Sequence, residues 1–285
     1  MEPVSLKEIP FAEVNFAARD LLTEHRADGS IILKTNIPLG PYPEQLSDYL
    51  RHWSDSDPDR KFLVERDPAG AWRPISYGQA VAAADSISQA LIDLGLSSTK
   101  SNTSRPVVAL GSNSIEMGLL ALAAMQIGVP FAPISPSYSL MSGDFSKLKY
   151  IIDLINPALV YVPEAAPFKK ALDHVLGPNV PIVSGDGAPG FLPFTEFTSK
   201  TPGPDFAQVY ADVNGDSIAK YLFTSGSTGM PKAVITTQRM LCSNATAVCQ
   251  LLPVLDDHPP IIVDWLPWNH VAAGNLNFNV ILRSG

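Results

Sequence analysis

The densest chemistry in the chain lies in "TSGSTGMPK", Thr224 to Lys232. Gly226 and Gly229 let backbone N–H groups turn toward one point, and the hydroxyls of Thr224, Ser225, Ser227 and Thr228 add donors around it. Lys232 adds a mobile positive charge. Such a loop can wrap an anion as large as a polyphosphate. Ser, Thr and Gly are also ordinary turn formers, so these residues would equally make a plain hairpin connection.

Known phosphate and nucleophile patterns narrow the choice. A Walker A loop places glycine directly before its lysine, whereas Met230 and Pro231 separate Gly229 from Lys232. A nucleophile elbow needs G-x-S-x-G, and the order here is Gly226-Ser227-Thr228-Gly229. No G-x-G-x-x-G opens a helix after a strand. A serine with a lysine in a Gly/Ser-rich stretch also describes an amidase-type hydrolase, which stands as a reading from another enzyme class.

The elements around the loop must hold it in place. "KYLFT" and "AVITT" are both β-type runs, so the loop joins strand to strand. Upstream, "KFLVER" reads as a strand and "YGQAVAAADSISQALIDLGL" as a helix stopped by Gly95, together one αβ unit. "RPVVALG", "VPFAPI", "ALVYV" and "VPIVSG" read as further strands. "SIEMGLLALAAMQIG", "DFSKLKYIIDLIN" and "FKKALDHVL" are the helices between them. This alternation predicts an α/β fold of mostly parallel sheets flanked by helices.

Residues 1–60 are expected to form an N-terminal arm and a first helix, "EQLSDYLRHWS", and residues 61–285 the main domain. Residues 185–216 read as a long surface connection or sheet edge, rich in Gly, Pro and acids. After the loop come a helix, "RMLCSNATAVCQLLP", a strand, "PIIVDWLP", and "WNHVAAGNLNFNVILRSG". The last run begins an apolar helix or strand and stops at Gly285 with no tail composition, so the fold is expected to continue beyond it.

The 285 residues are 46% hydrophobic and 17% charged with a net charge of -8, which describes a globular chain with no overall basic field for nucleic acid. An anion site must therefore be local. Cys242 and Cys249 read as buried thiols on one helix face rather than a disulfide or a zinc site. The most apolar stretch, 118–134, is broken by Gln126, Gly128 and Pro130 and is too short for a membrane span. The start "MEPVSLKEIPF" lacks the basic and apolar regions of a signal peptide. A cytoplasmic location follows as the expectation, with oligomeric state open.

"TSGSTGMPK" resembles the signature loop of the adenylate-forming (AMP-binding) superfamily, which includes acyl- and aryl-CoA synthetases, luciferases and peptide-synthetase adenylation domains. "MQIGVPFAPISPSYS" before it and "LPWNHVAAGN" after it resemble that family's flanking elements, in the same order. "FTSGSTGMPKAVITTQRM" with "DWLPWNH" is most similar to feruloyl-CoA synthases and related aryl-acid CoA ligases.

The resemblance implies ATP-dependent activation of a carboxylic acid, aromatic and hydroxycinnamate-like, followed by transfer to coenzyme A. It assigns Thr224, Ser225, Gly226, Ser227, Thr228, Gly229 and Lys232 to the phosphates of ATP. It gives Lys232 and His270 catalytic roles and makes Trp268, Asn269 and His270 the wall against the acid. Magnesium is implied as well, but the family's magnesium-binding glutamate, its ribose-binding aspartate and its C-terminal lysine domain have no counterpart in this sequence. Asp264 reads as an acid ending a strand, and no metal ligand is assigned. A truncated, inactive paralogue or nucleotide-binding remnant is therefore the competing expectation.

Overall fold

The computed structural model describes residues 14–97, 105–224 and 229–285. Its centre is a seven-stranded sheet built from β5 (Val107–Leu110), β6 (Phe131–Ile134), β7 (Leu159–Val162), β8 (Ile182–Ser184), β9 (Leu192–Pro193), β10 (Ile218–Thr224) and β11 (Lys232–Thr237). The order across the sheet is β11-β10-β6-β5-β7-β8-β9. All neighbours are parallel except β11, which returns antiparallel to β10. The expected α/β fold with a mostly parallel sheet is the one observed.

All four residues of β5, β6 and β7 are buried, because helices cover both faces of the sheet. Alternation decides which face each side chain joins. Val107, Ala109, Phe131, Leu159 and Tyr161 pack with α1 (Ser47–Ser56), α2 (Tyr77–Asp93) and α3 (Ile115–Met125). Val108, Leu110, Ala132, Ile134, Val160 and Val162 pack with α5 (Ser146–Ile155) and α6 (Ala165–Val175). A short α4 (Ser137–Leu140) follows β6.

Helix ends follow sequence signals. Ser76 and Gln79 form a capping box at the start of α2, and Ser114 Oγ accepts the Met117 N–H at the start of α3. Gly95 lies in the left-handed region, with φ +81°, just after α2. Asn156, with φ 43°, ends α5 in the same way.

Four expectations are corrected. The run "KFLVER" is β3 (Lys61–Arg66), but it pairs antiparallel with β4 (Trp72–Ser76) in a separate two-stranded sheet and does not open the main sheet. The N-terminal arm holds a hairpin, β1 (Leu21–His25) and β2 (Ile31–Thr35), unsignalled because neither face is buried. The 185–216 connection does carry the sheet-edge strand β9, but also α7 (Phe194–Thr198) and α8 (Pro204–Asp212), anchored by buried Phe194, Phe197 and Val209. The expected strand "PIIVDWLP" is extended chain without a ladder partner among the described residues, and Ile261, Val263 and Trp265 are exposed.

The remaining elements are α9 (Gln238–Leu251), α10 (Val254–Asp257), a π-helical segment (Ala272–Asn277) and α11 (Phe278–Ser284). The terminal apolar run is thus helical. Cys242 and Cys249 are buried free thiols on α9, as their spacing suggested. Buried Gln238 joins three helices: its Oε1 accepts the Leu46 N–H at 3.0 Å and its Nε2 donates to Met125 O at 2.9 Å.

Candidate functional site

The loop from Thr224 to Lys232 sits at the end of a β-hairpin. β10 and β11 pair from Ile218↔Thr237 to Thr224↔Lys232, so these two residues face each other where the loop leaves the sheet. Thr224, Gly229 and Lys232 are exposed. Gly229 has φ +89°, which favours glycine, and a Cβ there would meet open space. The glycine is needed for its backbone conformation rather than for close packing. Ser225, Gly226, Ser227 and Thr228 lie outside the described residues.

The second group of candidates is built from the core outward. Arg73 on β4 pairs with both Glu65 on β3 and Glu116 in the first turn of α3, and Glu65 Oε2 accepts the Ile115 N–H at 2.9 Å. These bonds fix the start of α3 and, with it, Asn113. Asn113 Oδ1 accepts the Trp268 N–H at 2.8 Å, and its Nδ2 donates to Leu266 O at 2.8 Å. Asp264 accepts Trp268 Nε1–H at 3.0 Å on one carboxylate oxygen and Asn277 Nδ2–H at 3.2 Å on the other. Its role here is to clamp the indole, and both oxygens are engaged.

The Trp268 ring lies edge-on to Phe278, with centroids 5.0 Å apart. On its other flank a Cβ at Gly118 would be 3.3 Å from the indole, so α3 approaches the ring closely there. Asn269 is half-buried and His270 is exposed. The His270 ring nitrogen Nδ1 accepts the Ala272 N–H at 3.3 Å, which in the neutral ring leaves the proton on Nε2. His270 thus presents an N–H donor to solvent.

Lys232 and Trp268 line different cavities. A cleft of about 690 Å³ beside the sheet edge includes Lys232, Arg105, Tyr150, Tyr221 and Ile235. A more enclosed cavity of about 560 Å³ includes Arg60, Phe62, Tyr77, Asp264, Trp268 and Phe278. One direct tie between the two candidate groups comes from a residue the sequence reading passed over. Lys220 on β10 donates from Nζ to Gly274 O, in the π segment after His270, at 2.6 Å. Its signal was present: a lone lysine in the apolar run "IAKYLF".

For ATP, the open hairpin end with Gly229 at positive φ and exposed Thr224 and Lys232 fits an anion. For magnesium, no group of three or more His, Cys, Asp or Glu able to hold a metal occurs among the described residues. No helix among them is long and apolar enough to cross a membrane.

Fold and site together describe an α/β protein with a hydroxyl- and glycine-rich hairpin loop at a sheet edge. Residues 50–285 match the family model for AMP-binding enzymes, and the chain belongs to that family. The human long-chain-fatty-acid–CoA ligase ACSBG2 is 24% identical over 226 residues, covering 75% of this chain and 32% of that protein. The fatty acyl-adenylate ligase from L. pneumophila, solved with acyl adenylate and pyrophosphate, superimposes with a TM-score of 0.64 at 20% identity over 85% of this chain and 38% of its own. McyG A-PCP, solved with phenylalanyl-adenylate, gives 0.66 at 19% identity over 86% and 36%. The chain spans about a third of the length of the curated CoA ligases it matches.

Proposed function

We propose that this chain carries the phosphate-binding part of an ATP-dependent acid-activating enzyme of the acid–CoA ligase type. The observation that carries the reading is the β10–β11 hairpin, which presents "TSGSTGMPK" at the sheet edge in a chain of the AMP-binding family. In this reading the acid attacks the α-phosphorus of ATP to give an acyl-adenylate as pyrophosphate leaves, and the acyl group then passes to the coenzyme A thiol with release of AMP. Loop N–H groups, the hydroxyls from Thr224 to Thr228 and Lys232 neutralise polyphosphate charge while the reacting oxygens lie in line. Magnesium would enter on the polyphosphate.

His270 Nε2–H and the Trp268 and Asn269 wall would orient the acid. We assign that acid to the aromatic, hydroxycinnamate-like class. The support is the likeness of "DWLPWNH" and the extended loop to aryl-acid CoA ligases. The L. pneumophila ligase and ACSBG2 are named for fatty acyl substrates, so a long-chain acid is the alternative to test.

The experiment is acid-dependent exchange of labelled pyrophosphate into ATP, beside direct ATP binding. The 285-residue chain is expected to bind ATP and to show little exchange. Lys232→Ala should weaken ATP binding about tenfold, the scale of a charge-assisted hydrogen bond, with the melting temperature little changed. A protein of full family length that carries this segment is expected to exchange with hydroxycinnamates. Amide hydrolysis without ATP dependence would overturn the reading. A second reading is a nucleotide-binding remnant that keeps the hairpin loop without acid activation. ATP binding without exchange in every natural form would establish it.

A further inference from the structure

Removing a lysine ammonium from water is costly unless strong partners replace the water. Lys220 is 4% exposed in the middle of β10. Burial alone lowers its pKa to about 7, and no carboxylate among the described residues pairs with it. The Nζ donates to Gly274 O at 2.6 Å and lies 5.7 Å from the centre of the Phe278 ring. In the run from Ile218 to Phe223, a buried amine is thus bonded to one backbone carbonyl.

That carbonyl lacks the donor an α-helix would give it. In the π segment Ala272–Asn277, the N–H of Phe278 reaches back five residues to Ala273 O. Regular α-helical bonding would send it to Gly274 O. The π-turn therefore takes a donor from Gly274 O, and Lys220 supplies the replacement. The turn is also fixed at its other end, where Gly274 N–H donates to His270 O at 2.8 Å. A Cβ at Gly274 would collide with the backbone carbonyl of Trp268, so the turn is pressed against the Trp268–His270 segment. Turns of this π type recur at functional sites.

Four positions beyond Lys220, the same strand ends at Thr224, where the candidate phosphate loop begins. We propose that Lys220 is a positioning residue: its buried amine holds the π-turn at Gly274 and so places His270 relative to the strand that carries the loop. The inference rests on the proposed acid-activating function for the meaning of that placement. Simple filling of space would be met by methionine, whereas the tether needs a donor.

The test uses Lys220→Met and Lys220→Gln in the 285-residue chain, read by amide hydrogen exchange and by affinity for a hydroxycinnamoyl-adenylate analogue with a sulfamoyl linkage. In Lys220→Met, exchange across 271–279 is expected to accelerate about tenfold with α2 unchanged, the scale of one lost charge-assisted hydrogen bond. Affinity for the analogue should fall by about the same factor, and Lys220→Gln should recover much of both by donating from its amide. Unchanged exchange in folded Lys220→Met overturns the tether. If no form binds the analogue, the aromatic-acid assignment fails while the exchange result still decides the tether. If Lys220→Met does not fold, the wild type decides it. The Gly274 carbonyl carbon resonance should shift when the Lys220 amine loses its proton, at whatever pH that occurs, and a resonance flat from about pH 5 to 11 overturns the proposal.

Discussion

At Lys220, a buried charge and a needed hydrogen bond pull stability in opposite directions. Its pKa falls from the ordinary lysine value of 10.5 to about 7 because burial penalises the ammonium. Between those two values the unfolded chain binds more protons than the folded one, so stability rises with pH across that window. Below pH 7 both states are protonated and the penalty is fully present. Urea unfolding at pH 6, 7.5 and 9 should show the wild type gaining stability relative to Lys220→Met as pH rises. Parallel pH dependences for the two proteins would show that Lys220 keeps an ordinary pKa. The neutral amine still donates to Gly274 O, so the tether survives the loss of charge.

The elements around Trp268 show how a turn type can depend on one absent atom. Gly274 tolerates contact with the Trp268 carbonyl because it has no Cβ. Gly274→Ala should therefore destabilise the protein by about 2–4 kcal/mol, despite alanine's better helix propensity. A shift of the urea midpoint checks this, and a neutral or stabilising result would show that the π segment can move away from Trp268. Strands β5, β6 and β7 were legible because both faces are covered, which makes them short continuous apolar runs. The hairpin around the loop was legible from its two β-type flanks. Helices α7 and α8 were hidden in a Gly- and Pro-rich tract because each is too short to show a period, whereas the sheet edge at β9 was anticipated.

On the scale of the whole molecule, the two sides of the main sheet are filled while the apolar segment after α10 is left uncovered. Ile261 is 100% exposed, Val263 92% and Trp265 82%, in extended chain with no ladder among the described residues. Exposed apolar chain with free backbone groups favours association. The 285-residue chain should bind a hydrophobic dye and scatter light increasingly with concentration, and Ile261→Lys with Val263→Lys should lower both signals. Equal dye binding by the double variant would place the exposed apolar surface elsewhere. The expected strand at this segment rested on its apolar run, but a strand requires a neighbour, and the run alone supplies none.

The sequence by itself determined the local periods, the helix stop at Gly95, the strand-to-strand setting of "TSGSTGMPK" and its likeness to one enzyme family. Each of these depends on residues close together in the chain. Only the tertiary structure decided that β3 pairs with β4 outside the main sheet, that Asp264 clamps Trp268, and that Lys220 meets Gly274 across 54 residues. Those facts depend on which surfaces meet after folding. A buried donor takes whichever acceptor the packing brings to it, and no local pattern records that choice.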